Sequence, residues 1–131
     1  MAFGRQPWPN GVYEVRIGGR LIGSDGAEPV DSYVLPFDAY VEYVRYHYYQ
    51  AEAADLDAVS LASSGSASKT IVAAADMSGD IAGTAQTLHA DVASHAYRLR
   101  AGDVILLSAD STGATEGGNI HATIGLRPVD Y

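Results

Sequence analysis

Three observations predict an all-β fold: short apolar runs bounded by turn residues, a Tyr- and Val-rich run over 39–50, and a closing run that alternates strictly. The expected class is a jelly-roll-like antiparallel β-sandwich of about eight strands, with at most one short helix and an extended N-terminal arm. Residues 1–30 read as the arm and first strands and residues 31–131 as the sandwich core, one domain overall.

The elements follow in order. Residues 1–11 carry Gly4, Pro7, Pro9 and Gly11 and are expected to be irregular. Val12 to Ile17 alternates loosely, and Gly18-Gly19 is expected to turn it into Arg20-Leu21-Ile22. Gly23 to Pro29 is a loop by composition, and Tyr33-Val34-Leu35 is a strand that Pro36 interrupts. The long run Ala39 to Gln50 offers no polar face. Tyr40, Glu42, Val44, Tyr46 and Tyr48 fall on one side; Ala39, Val41, Tyr43, Arg45, His47 and Tyr49 fall on the other. A strand of that kind is normally covered on both sides.

Asp55 to Leu61 is a short alternating strand and Ser63 to Ser68 a small-residue turn. Thr70 to Met77 contains Ala73-Ala74-Ala75 and is compatible with one or two helical turns ended by Gly79. Thr84 to His89 is a further strand. His95 to Arg100 is a strand, Ala101-Gly102-Asp103 a tight turn, and Val104 to Ala109 a buried strand. After a polar loop from Asp110 to Gly118, the last strand points Ile120, Ala122, Ile124 and Leu126 inward until Pro128 ends it.

The chain has 131 residues, enough for one core, and a net charge of −8. Six of its seven arginines (Arg16, Arg20, Arg45, Arg98, Arg100 and Arg127) sit singly in candidate strands, while the acids concentrate in turns. A surface of that sign repels a phosphate backbone, so no nucleic-acid partner is expected. Cysteine is absent, which removes disulfides and thiolate metal sites. No run approaches the ~18 apolar residues of a membrane span, and no membrane partner is expected. Met1 to Pro7 lacks an apolar run, so no secretory signal is expected and the chain is cytosolic as made.

Candidate chemistry is sparse. His47, His89, His95 and His121 show none of the spacings of a metal motif, and no metal or other cofactor is expected. The loops from Asp76 to Asp80 and from Asp110 to Glu116 lack the order that aims three carboxylates at one calcium ion, and read as turns. No Gly-x-Ser-x-Gly elbow or phosphate loop is present, so no catalytic residues are assigned and the chain reads as a non-enzyme.

The tyrosines are the informative feature: five of nine lie between Tyr40 and Tyr49, with Arg45 and His47 among them. Tyr and Arg are enriched where a partner buries a surface, and the same rings can stack on sugars. They can equally fill gaps in an alanine-rich core. Because a two-layer sandwich hides one face of each strand, part of this set is expected to meet a neighbour, which favours a homo-oligomer.

The stretch Leu99-Arg100-Ala101-Gly102-Asp103-Val104-Ile105-Leu106-Leu107, then Ser111-Thr112-Gly113, Gly117-Gly118 and Ala122-Thr123-Ile124-Gly125-Leu126, resembles the end of small tailed-phage virion proteins. These are β-sandwich proteins of the capsid-decoration or head-fibre type. Leu35-Pro36-Phe37-Asp38-Ala39-Tyr40-Val41 is similar to that family's strand entering the sandwich, so the resemblance covers roughly residues 33–127. It implies a non-catalytic, often trimeric protein on the capsid surface that binds the major capsid protein. On that expectation Phe3 and Trp8, held extended by Pro7 and Pro9, anchor the arm on the shell. Tyr43, Arg45, Tyr46 and Tyr48 form subunit contacts. The alternatives are a carbohydrate- or receptor-binding module that stacks sugars on Tyr43, Tyr46 or Tyr48, and a tail or neck component of the same fold.

Overall fold

A computed structural model describes residues 11–20, 27–49, 58–64, 69–76, 85–90, 98–110 and 118–129. Among them run nine strands: β1 (Tyr13–Arg20), β2 (Ala27–Val34), β3 (Ala39–Tyr49), β4 (Ala58–Ser64), β5 (Lys69–Asp76), β6 (Ala85–Ala90), β7 (Arg98–Leu99), β8 (Val104–Asp110) and β9 (Asn119–Pro128). Sheet A has the order β1-β9-β3-β6, with the short β7 also paired to β3; sheet B has the order β2-β8-β4-β5. All pairings are antiparallel.

The order has a simple logic. With β6 and β7 taken as one interrupted strand beside β3, the first strand pairs with the last, the second with the last but one, and so inward to β4 and β5. A long hairpin wound over itself gives that pattern, which is the jelly roll. The fold is therefore the all-β sandwich expected from the sequence.

Alternation builds the core between the sheets. In β9, Ile120, Ala122, Ile124 and Leu126 are all fully buried, and in β8 Ile105, Leu107 and Ala109 face them from the other layer. Val59, Leu61, Ile71 and Val72 close the core from β4 and β5. At one corner Leu35 and the Arg100-to-Asp103 turn exchange backbone bonds: Leu35 N donates to Asp103 O (2.9 Å) and Gly102 N to Leu35 O (2.8 Å). The buried Asp103 carboxylate accepts from Arg100 N at 3.0 Å, and Gly102 takes the left-handed φ of 91° that the tight turn requires.

Four local expectations are corrected. Gly18-Gly19 is not a turn, since β1 pairs with β9 without a break from Tyr13 to Arg20. Glycine is needed there because a Cβ on Gly18 would collide with the Ile120 carbonyl and the His121 backbone. Thr70 to Asp76 is strand rather than helix: alanine prefers helix locally, but the ladder to β4 prevails. Ala27 to Pro29 belongs to β2 rather than to a loop, and Pro29 is tolerated because β2 is an edge strand with a register shift between Pro29 and Asp31. Finally, the division at residue 30 cuts through β2, and β1 is an integral strand of sheet A. The expected arm, with Phe3 and Trp8, lies outside the described residues.

Candidate functional site

The outer face of sheet A is built by alternation and by one irregularity. In β3 the register against β9 shifts between Val41 and Tyr43, making Glu42 the extra residue of a β-bulge. Before the bulge Ala39 and Val41 point inward; after it Val44, Tyr46 and Tyr48 do. The bulge thus joins half of each sequence face into one buried face, which explains why neither face read as polar. The two-sided run is accordingly no argument for a neighbouring copy.

This sorts the expected contact residues. Tyr46 and Tyr48 are 0 % and 3 % exposed, so their rings belong to the core and are not a docking or stacking surface. Burial raises the Tyr46 pKa well above its usual value, and its hydroxyl has no hydrogen-bond partner among the described residues. Tyr43 and Arg45 lie on the outer face with His47 and Tyr49.

The register then places polar side chains from four strands in rows. Arg16 (β1), Thr123 (β9) and Arg45 (β3) are directly opposite one another, and Gly18, His121, His47 and Thr87 (β6) form the next row. Arg16, Arg45, His47, Thr87 and Thr123 line a shallow open concavity of about 320 Å³. His47 Nδ1 and Thr87 Oγ1 share a 3.0 Å hydrogen bond. The His121 ring lies against Gly18, its Nδ1 is buried, and no described group bonds to it.

Two carboxylates border the patch, and both are engaged. Asp31 Oδ2 accepts from Gly18 N at 2.9 Å and Oδ1 from Ser32 N at 2.8 Å, tying β1 to β2 at the corner of the sandwich. Glu14 Oε2 accepts from the Tyr43 hydroxyl at 2.5 Å, while Arg45 approaches the same oxygen only to 3.6 Å. Burial and the Glu14 hydrogen bond push the Tyr43 pKa up to about 12. His121 is shifted down from 6.5, by burial first and then by Arg16 and His47, against the opposing effect of Asp31. The other end of the face is neutralised in pairs, Arg98 with Asp38 at 2.8 Å and Arg127 with Glu42.

The sequence treated Arg16 and Arg45 as isolated charges, and His47 and His121 as unrelated. Twenty-nine positions separate the arginines, so only the strand order brings them together. The one local sign of the site was that Arg16, Thr123 and Thr87 occupy polar phases of their strands. Set against known proteins, the chain matches no family model, no curated protein and no solved structure.

Proposed function

We infer that the chain is a non-catalytic binding protein, a tailed-phage virion component that decorates the outside of the capsid by binding the major capsid protein. The observation that carries this reading is the order of elements behind the resemblance. The Ala101-Gly102-Asp103 turn, the hydrophobic β8 and the alternating β9 follow one another on a jelly roll, a fold common to viral capsid proteins. The contact face is the outer face of sheet A. There Tyr43 and Arg45 stand beside Arg16 and His47 on central and neighbouring strands, a Tyr- and Arg-bearing surface of the kind that partners bury. Arm residues Phe3 and Trp8 remain the proposed second anchor.

The sugar-stacking alternative loses two of its three platforms, since Tyr46 and Tyr48 are inside the core. Particles purified from the source test the reading, with this chain quantified against the major capsid protein by mass spectrometry. A copy number in fixed proportion to the capsid protein is the expected result. A handful of copies moves the chain to the neck or tail, and absence from particles removes the virion reading.

A further inference from the structure

We propose that the concavity between Arg16 and Arg45 is a binding site for a single tetrahedral oxyanion, a sulfate or phosphate group, free or as the ester of a small ligand. This goes beyond the particle reading and does not need it, because the free protein alone tests it.

The first argument is geometric. Arg16 and Arg45 flank Thr123 from β1 and β3, so their backbones stand about two strand spacings, ~10 Å, apart. Both side chains line the same hollow together with Thr123, which the register sets between them, and with His47 and Thr87. Donors therefore converge from three directions. A planar carboxylate offers two oxygens and is satisfied by one guanidinium fork; a tetrahedral group offers three to the site and leaves the fourth toward the opening.

The second argument is electrostatic. His121, in the neighbouring row on β9, is held toward its neutral form by burial first and then by the Arg16 and His47 charges, against Asp31. Among the described residues the acids that face the patch are Glu14 and Asp31: Glu14 holds the Tyr43 hydroxyl, and Asp31 is bonded by two backbone N–H groups. Arg16 makes no ion pair or hydrogen bond among the described residues, and Arg45 has only the 3.6 Å approach to Glu14. Both forks thus keep donors for a ligand.

The third argument is size. A hollow of about 320 Å³ is at the small end of ligand sites, and its open mouth suits one charged group with a small attached body. The net charge of −8 opposes a polyanionic backbone.

Titration of the free chain at low ionic strength with sodium sulfate, followed by the ring resonances of His47 and His121 in NMR spectra, tests the site. Saturable shifts are expected. Arg16→Gln should weaken binding about tenfold, the loss of one charge-assisted hydrogen bond, and it breaks no ion pair or hydrogen bond among the described residues. Arg45→Gln should do the same. A parallel titration with glucose 6-phosphate separates the sources: tighter binding than inorganic phosphate assigns an ester ligand, and equal binding assigns the free ion. Shifts that rise linearly without saturation, or that survive unchanged in the Arg16→Gln and Arg45→Gln variants, overturn the proposal.

Discussion

The Tyr43 ring occupies the space that a side chain on Gly125 would need, across the β3–β9 ladder where the two residues are partners. This contact fixes the ring at the rim of the polar face and aims its hydroxyl at Glu14 on the strand beyond. Gly125→Ala should therefore cost about 1–3 kcal/mol by overpacking, measured by urea denaturation. In a double-mutant cycle with Tyr43→Ala, most of that cost should disappear, because the three atoms nearest a new Cβ are all in the Tyr43 ring. Additive costs would show that the ring does not sit there.

Gly18 makes the stricter version of this argument. The atoms nearest a Cβ at Gly18 include Ile120 O and His121 Cα, which are backbone and cannot swing aside. Gly18→Ala should be more destabilising than Gly102→Ala, where nothing lies within 4 Å and only the φ of 91° opposes the substitution. The latter should cost about 1–2 kcal/mol. A thermal melt of each variant checks the order.

Tyr46 carries a buried hydroxyl with no partner among the described residues, which costs stability relative to a partnered or absent one. Tyr46→Phe should leave the core volume nearly unchanged and raise the unfolding free energy by about 1 kcal/mol. A loss of similar size would mean that the hydroxyl is bonded in solution.

Acid should weaken the fold through His121. Its pKa is held below 6.5 in the folded chain, by burial foremost, so as pH falls through 6.5 the unfolded chain takes up the proton first. The unfolded state then binds more protons, and stability falls with pH until the folded ring also titrates. His121→Asn should flatten this part of the profile, read as the urea midpoint above and below pH 6.5 against the unaltered chain. An unchanged slope in the variant would place the effect elsewhere.

The strand pattern was legible where alternation was clean. Ile120, Ala122, Ile124 and Leu126 read as an inward face and are one. The sequence misled where a non-local cause acted. Glu42 has no local property that marks it as a bulge, yet it decides that Tyr43 faces out and Tyr46 faces in. The Ala73-Ala74-Ala75 segment carries helical propensity that only its pairing with β4 overrides. Gly18-Gly19 looks like a hairpin turn because the reason for glycine, the approach of β9, is a hundred residues away. The candidate site was hidden for the same reason: Arg16, Arg45, Thr87 and Thr123 become neighbours only through the jelly-roll winding.

The central claim is that the outer face of sheet A is the surface the protein works with, and thiol footprinting tests it most directly. The chain has no cysteine, so single replacements at Arg45, His47 and the exposed Val34 of β2 give clean reporters. In the free protein all three should react readily with maleimide. On purified particles, position 45 and position 47 should become protected while position 34 stays reactive. Equal reactivity of all three on the particle would contradict the claim and move the contact to another face.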